Sequence, residues 1–140
     1  MARSRRRRTQ APPQRLILDS GAVIALAGHD QRARAVLTAA REAGVEVTVP
    51  SVVVAETVRG TAIDAPVNRV LKAVGEVDVA DESTCRIAGG LLGTAGSAAT
   101  VDAVVVATAV RAGGAVILTS DPTDLGALAD GHPEVVIEAL

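Results

Sequence analysis

The sequence contains no aromatic residue and only one cysteine. Because none of its 140 residues is Phe, Tyr or Trp, the core must consist of Ala, Val, Leu and Ile. Without Phe, Tyr or Trp, binding to single-stranded nucleic acid cannot rest on the usual base–aromatic stacking, which makes modules that read RNA with aromatic sheets poor candidates. The single cysteine, Cys85, excludes an intramolecular disulfide and a cysteine-rich zinc site.

Long apolar stretches are also missing. The longest, such as residues 103–110, are far shorter than the ~20 residues of a membrane-spanning helix, and none stands at the N-terminus. We therefore expect no membrane segment and, with no disulfide, a reducing cytoplasmic location.

The charge that is present is unevenly distributed. Residues 1–14 contain five arginines and no acid, whereas residues 15–140 contain nine basic and sixteen acidic residues, a net charge of −7. The like charges and two prolines of the first segment predict a disordered basic arm at residues 1–14. Such an arm is either a phosphate-attracting tail or a dispensable extension. Residues 15–140, by length and apolar content, form a single domain.

Short apolar runs alternate with helical segments along this domain. Strands are predicted at residues 16–18, 45–49, 76–79, 115–118 and 134–137. Strands separated by helices indicate βαβ units, and hence an α/β fold whose mainly parallel sheet of four to five strands is covered on both faces.

Four acids fall at one end of the predicted strands. Asp19 directly follows the first strand, and Asp121 follows the fourth after two residues. Asp102 lies in the first turn of a helix that leads into the fourth strand, so it belongs to the same carboxyl edge, where α/β sheets bind ligands. Glu56 lies in the helix after the second strand. The sequence thus predicts that these acids converge on one cleft.

Clustered carboxylates raise one another's pKa and are tolerated mainly around a cation. Ligand sets made of oxygen atoms suit Mg²⁺ or Mn²⁺. A divalent ion held in this way equips a protein for phosphodiester hydrolysis.

Each acid taken singly also has a structural interpretation. Asp102 could complement a helix dipole behind a Thr100 cap, and Asp19 and Asp121 could cap the helices that they precede. Ser51 is a candidate cap for the helix that contains Glu56. Glu56 itself is harder to explain, because its segment is apolar and a buried unpaired glutamate is costly. The four acids together favour a site.

Four segments in series resemble the PIN-domain family, most closely the VapC-type toxins of bacterial toxin–antitoxin pairs. The resemblance covers residues 16–136 and is carried by LILDSGAVIAL, SVVVAETVRG, TVDAVVVATAVRAG and VILTSDPTDLGALA. It implies a three-layer α/β/α fold in which the metal-site and catalytic acids are Asp19, Glu56, Asp102 and Asp121. It further implies that small polar residues support metal-bound water and that an additional acid shares the role of Asp121; these are Ser20, Ser120 and Asp124.

The resemblance implies an endoribonuclease that depends on Mg²⁺ or Mn²⁺, cuts tRNA or rRNA, dimerises, and is silenced by an antitoxin protein. The longer basic arm and the missing aromatics, including at Leu125, depart from the family pattern. The alternative is a catalytically silent module of the same fold that binds RNA or a protein partner. A phosphatase or receiver domain is disfavoured, because LILDSG lacks a second nearby Asp and Lys72, the sole lysine, follows no strand.

The remaining reactive side chains receive structural interpretations. Cys85 is predicted to be a core residue and the two histidines, His29 and His132, to be surface residues. Three arginines could contact RNA phosphates, although solvated surface positions are more typical; these are Arg59, Arg86 and Arg111.

Overall fold

The central sheet forms where the sequence has its short apolar runs. The computed structural model describes residues 15–140, and the predicted basic arm lies outside the described residues. Five parallel strands lie side by side in the order β3-β2-β1-β4-β5. Their bounds are β1 Arg15–Leu18, β2 Glu46–Pro50, β3 Val77–Asp78, β4 Ala115–Thr119 and β5 Val135–Ala139.

Helices connect these strands and cover both faces of the sheet. They are α1 Ser20–Ala27, α2 Gln31–Glu42, α3 Ser51–Thr57, α4 Ala65–Val74, α5 Glu82–Ala95, α6 Thr100–Arg111 and α7 Pro122–Leu128. Right-handed crossovers place α1 to α4 on one face and α5 to α7 on the other, as the contacts among these helices also show. The predicted three-layer α/β/α fold is therefore confirmed.

The core consists entirely of aliphatic side chains. Ile17, Leu18, Ile117 and Leu118 on the two central strands are fully buried. Helix α6 is buried from Ala103 to Ala109, because it packs against the sheet, α5 and α7 at once. Within residues 15–140 no single helix is long and apolar enough to cross a membrane. Helices α5 and α6 together have the length and apolar composition of a membrane span, but the chain bends by 116° between them.

Two local predictions are wrong. Cys85 is exposed on α5 instead of buried in the core, with its Sγ 3.9 Å from the carbonyl oxygen of Ala80. Ser51 does not cap α3, because it is the first helical residue and Pro50 occupies the cap position. The hydroxyl of Ser51 instead accepts a hydrogen bond from the Ala80 N–H at 3.1 Å, which ties the start of α3 to the segment after β3.

Candidate metal centre

Asp19 and Asp121 stand at the N-cap positions of α1 and α7, but neither side chain caps its helix. The N–H of Asp19 donates to the carbonyl of Leu118 at 3.0 Å, so the pairing of β1 with β4 continues to the very end of both strands. Both acids therefore occupy the helix-cap positions that the structural interpretation predicted, although no side-chain cap hydrogen bond forms at either. Their carboxylates are left available for another role at the carboxyl edge.

Thr119 links these two acids. Its side chain is fully buried, and its hydroxyl donates to Oδ2 of Asp19 at 2.8 Å. The hydroxyl oxygen of Thr119 in turn accepts the backbone N–H of Asp121 at 2.9 Å. Asp19 is itself only 6% exposed, so this bond fixes the orientation of a nearly buried carboxylate. Sequence analysis missed Thr119, although its position at the end of β4, two residues before Asp121, was the available signal.

Three carboxylates form the tightest group at this edge. One oxygen each from Asp102, Asp121 and Asp124 lies within 4.8 Å of the others. Asp102 lies in the first turn of α6, where Thr100 is a helical residue and Ala99, not Thr100, occupies the cap position. Asp124 lies in the first turn of α7, one turn beyond Asp121. Sequence analysis gave Asp124 only a supporting role, whereas the structure places its carboxylate within the group of three.

The neighbouring carboxylates act on Asp102 and Asp121. Partial burial, followed in order of effect by the charges of Asp19, Asp121, Glu56 and Asp124, raises the pKa of Asp102 to about 6. Burial, followed by the charge of Asp124, also raises the pKa of Asp121. Mutual repulsion of this kind requires that the carboxylates lie close together. The predicted convergence of the acids at one edge is therefore what the structure describes.

Glu56 lies at the rim of this cluster. Its side chain is exposed, so the expectation of a buried, unpaired glutamate is wrong. The hydroxyl of Ser20 donates to Oε1 of Glu56 at 2.5 Å and joins the first turn of α1 to α3. Neither Glu56 nor Asp19 belongs to the tight group of three, and both stand beside it.

Gly21 brings the first turn of α1 against the loop after β4. A Cβ atom at Gly21 would lie 2.7 Å from Cβ of Ser120 and 3.1 Å from its backbone nitrogen. Only glycine permits this approach, which sets the separation between the loop of Asp19 and the loop of Asp121. Ser120 is exposed beside it.

Asp64 is a second residue that sequence analysis missed. Its carboxylate is 4% exposed and accepts the N–H groups of Arg59, Gly60 and Thr61 at 2.7–3.2 Å. Hydrogen bonds from Arg59, then Gly60 and Thr61, hold the pKa of Asp64 below its usual value despite its burial. The capping-box spacing of Thr61 and Asp64 was the signal in the sequence. Asp64 thereby fixes the loop that follows α3 and Glu56.

The other singled-out residues lie outside the acidic cluster. His29 is exposed, as predicted, and the half-buried His132 has its Nδ1 3.1 Å from Glu134. The three arginines have partners within residues 15–140: Arg59 the carbonyls of Ala55 and Val58, Arg86 the carboxylate of Glu82, and Arg111 the carboxylate of Asp81.

The donor set of the cluster fits a hard divalent cation. All of its ligand atoms are carboxylate oxygens, which is the chemistry that Mg²⁺ and Mn²⁺ prefer. A cation among Asp102, Asp121 and Asp124 would also remove the repulsion that raises the pKa of Asp102.

The chain belongs to the PIN-domain family, because residues 16–129 match the model of the PIN domain. Its fold is similar to solved toxin–antitoxin structures. VapBC2 from Rickettsia felis, bound to a promoter DNA fragment, is 14% identical with a TM-score of 0.70, over 90% of this chain and 98% of that one. A toxin–antitoxin complex from Klebsiella pneumoniae is 18% identical with a TM-score of 0.66, over 86% and 95%. FitAcB from Neisseria gonorrhoeae is 20% identical with a TM-score of 0.60, over 87% and 95%. The search of curated protein sequences gave no significant match.

Proposed function

We propose that this chain is an endoribonuclease that depends on Mg²⁺ or Mn²⁺, the toxin of a VapC-type pair, acting on tRNA or rRNA in the cytoplasm. The observation that carries the proposal is the group of carboxylates at the carboxyl edge of the sheet, with Asp102, Asp121 and Asp124 within 4.8 Å of one another. Membership in the PIN-domain family supports the assignment to nucleases.

In this proposal the metal is held by Asp102, Asp121 and Asp124, with Asp19 beside them. A bound divalent ion would lower the pKa of a coordinated water and neutralise charge on the scissile phosphate. Thr119 donates to Oδ2 of Asp19 and would orient that carboxylate beside a bound metal. Ser20 holds Glu56 at the rim, where its carboxylate can orient or deprotonate the attacking water.

Cleavage of RNA by the purified protein tests the proposal. The wild type should cut RNA with Mg²⁺ or Mn²⁺ and stop when EDTA is added. Asp102→Asn and Asp19→Asn should each lower the rate by at least about a hundredfold. Asp130→Asn is the matched control, since Asp130 is an exposed acid on the turn after α7 and belongs to no part of the cluster.

Sequencing of RNA 5′ ends after brief expression of the wild type and Asp19→Asn would identify the RNA that is cut. Cleavage that survives both substitutions would refute the site. A protein that binds a cognate partner but never cuts RNA would instead establish the catalytically silent module.

An antitoxin partner is part of the same proposal. Several of the similar structures are toxin–antitoxin complexes. A cavity of about 290 Å³ between α1, α2 and α4 supports it, since its wall is apolar and its rim is cationic. The apolar lining includes Leu26, Leu37, Val70 and Val74, and the positive charges come from Arg34 and Arg69. This surface suits a segment with apolar side chains flanked by acids.

Co-expression with the product of a short neighbouring reading frame tests the partner. Val70→Asp should abolish co-purification, because it places a carboxylate in the apolar wall. Thr38→Asp, an exposed site on α2, should leave co-purification intact. If the partner co-purifies with both variants, this cavity is not its binding site.

The proposed toxin is a homodimer, as the family resemblance implies. Light scattering on the eluted peak of a size-exclusion column should give twice the mass of the 14.1 kDa chain. A monomeric mass at micromolar concentration would remove the dimer from the proposal.

A further inference from the structure

The positive charge of the domain is gathered on two helices. Residues 15–140 contain nine Lys or Arg and sixteen Asp or Glu. Helices α2 and α4 hold five of these cations and only one of the acids, Glu42, so together they have a net charge of +4. The four cations and fifteen acids in the remainder of residues 15–140 have a net charge of −11. The five cations on the two helices, called the α2–α4 cations below, are Arg32, Arg34, Arg41, Arg69 and Lys72.

None of the α2–α4 cations is neutralised by a carboxylate of residues 15–140. All five are exposed, and the ion pairs of this part of the chain involve other residues. Arg32 and Arg41 donate instead to main-chain carbonyls, those of Ala139 at 2.8 Å and Ala73 at 2.9 Å. A guanidinium has five N–H donors, so most of the donors on these arginines stay available to a ligand.

Arg32 places the start of this charged surface beside the metal centre. Its guanidinium donates to the carbonyl of Ala139, the last residue of β5. Ala139 is in register with Thr119 on the neighbouring strand β4, about 4.8 Å away. Thr119 is the residue that bonds both Asp19 and the N–H of Asp121. The α2–α4 cations therefore begin at the carboxyl edge of the sheet, where the acids lie.

From Arg32 the charged surface continues along α2 and across to α4. A helix rises about 1.5 Å per residue, so Arg32 and Arg41 are about 14 Å apart along the axis of α2. Arg41 donates to a carbonyl of α4, and Arg34 and Arg69 line the same cavity, so the two helices lie side by side. Lys72 follows Arg69 on the exposed side of α4. The result is a cationic surface that leads away from the metal centre.

A protein segment in the apolar cavity would not account for most of these charges. Only Arg34 and Arg69 line the cavity that we propose for the partner, and the other three α2–α4 cations lie outside its lining. A polyanion, whose charges repeat along its length, matches cations that are spread over two helices. Because the chain has no Phe, Tyr or Trp, its attraction to RNA cannot come from base–aromatic stacking and depends on phosphate contacts.

We infer that the α2–α4 cations bind the phosphate backbone of RNA and lead the strand to the metal centre. The identity of the ligand rests on the proposed nuclease function. The remainder of residues 15–140, with its net charge of −11, repels a polyanion, so the α2–α4 cations also determine the side from which RNA approaches the acids.

The salt dependence of RNA binding tests the inference in the full-length protein. The affinity for a labelled single-stranded RNA is measured in EDTA, so that no metal-dependent cleavage occurs, over a series of salt concentrations. Each phosphate contact on a single strand contributes about 0.7 to the slope of log K against log salt. A variant with Gln in place of Arg32, Arg41 and Lys72 should therefore have a slope smaller by about 2. It should still co-purify with the partner, because these residues lie outside the cavity.

Two further variants control for folding and for overall charge. Gln in place of Arg34, Arg69 and Lys72 leaves the carbonyl bonds of Arg32 and Arg41 intact and should lower the slope by a similar amount. The charge control adds three acids at exposed positions of α5, on the other face of the sheet, and should change the slope by less than about 1. Its substitutions are Ser83→Glu, Gly89→Glu and Thr94→Glu, which change the net charge by the same amount as each Gln variant.

Three outcomes would overturn the inference. The first is a slope equal to that of the wild type in both Gln variants. The second is the loss of the partner from both Gln variants with the slope unchanged, because the α2–α4 cations would then bind a protein and not RNA. The third is an equal fall in slope for the α5 variant, because net charge alone would then explain the effect.

A second readout separates this inference from the proposed function. Mn²⁺ affinity measured by calorimetry should be close to that of the wild type in every variant, because no acid of the metal centre is altered. If the wild type binds RNA through the α2–α4 cations but never cuts it with Mn²⁺, the nuclease proposal fails while the inference stands. If the wild type cuts RNA and the slopes are equal, only the inference fails.

Discussion

The hydroxyl of Thr119 donates to Oδ2 of Asp19 at 2.8 Å and at the same time accepts the backbone N–H of Asp121 at 2.9 Å. One buried side chain thus sets the positions of two acids that are distant along the sequence. Outer residues that orient ligands commonly change metal affinity by 10–100-fold when they are removed.

Thr119→Val should therefore weaken Mn²⁺ binding by roughly 10–100-fold in calorimetry, because it removes the hydroxyl with little change in shape. Thr119→Ser keeps the hydroxyl and should retain an affinity close to that of the wild type. Equal Mn²⁺ affinity for all three proteins would show that Thr119 does not position Asp19.

Gly21→Ala should destabilise the fold by roughly 1–3 kcal/mol, because the new Cβ would lie 2.7 Å from Cβ of Ser120. The free energy of unfolding from a urea titration measures this loss. Ser120→Gly in the same protein should restore most of it by removing the clashing atoms. A double-mutant cycle without coupling between the two positions would contradict the close approach.

Asp102→Asn should raise the stability of the metal-free protein at pH 7. The pKa of Asp102 is about 6 in the folded state, above its value in the unfolded chain. Between these values the folded state holds the proton and the unfolded state does not, so the free energy of unfolding falls as pH rises towards 6. Asn cannot ionise, so the variant keeps the free energy of unfolding that the wild type loses, and it should melt a few degrees higher than the wild type near neutral pH.

Mn²⁺ should reverse that order, since it stabilises only the protein that binds it. Thermal melts with and without Mn²⁺, at about pH 5 and pH 7, check both halves of this prediction. A variant that melts lower than the metal-free wild type at neutral pH would show that Asp102 is not held under repulsion.

Asp64→Asn should destabilise the protein at neutral pH and have less effect in acid. The backbone N–H groups of Arg59, Gly60 and Thr61 lower the pKa of Asp64, so its ionised form favours the folded state. This contribution is present above the ordinary pKa of Asp, about 3.9, and is lost as pH falls through the lower folded-state value. Urea titrations from neutral pH downwards should show the gap between the wild type and the variant closing in acid. A constant gap would contradict the charge-dependent part of this prediction.

The sheet and its acidic edge could be predicted because they rest on local patterns. Short apolar runs such as residues 16–18 and 115–118 are typical of strands buried in a parallel sheet, and an acid that follows such a strand lies at the carboxyl edge of the sheet. The resulting convergence of Asp19 and Asp121 needs no information about side-chain packing.

What sequence analysis got wrong depends on the direction of side chains. Cys85 lies just before the apolar residues Ile87 and Ala88 in a helix, but the helical period turns it to the solvent side of α5. Glu56 is surrounded by valines in sequence and yet lies on the exposed face of α3, within reach of Ser20. The bond from Thr119 to Asp19 joins strands that are remote in sequence, so the position of Thr119 before Asp121 indicates its place at the carboxyl edge but not its partner.

The absence of Phe, Tyr and Trp has a practical consequence for how this molecule is observed. A chain without tryptophan or tyrosine hardly absorbs near 280 nm and has no intrinsic tryptophan or tyrosine fluorescence. Any indole introduced at an exposed apolar position, such as Ile24 on α1, would therefore emit without background. Association of RNA, a metal ion or a partner protein could then be followed from a single optical reporter.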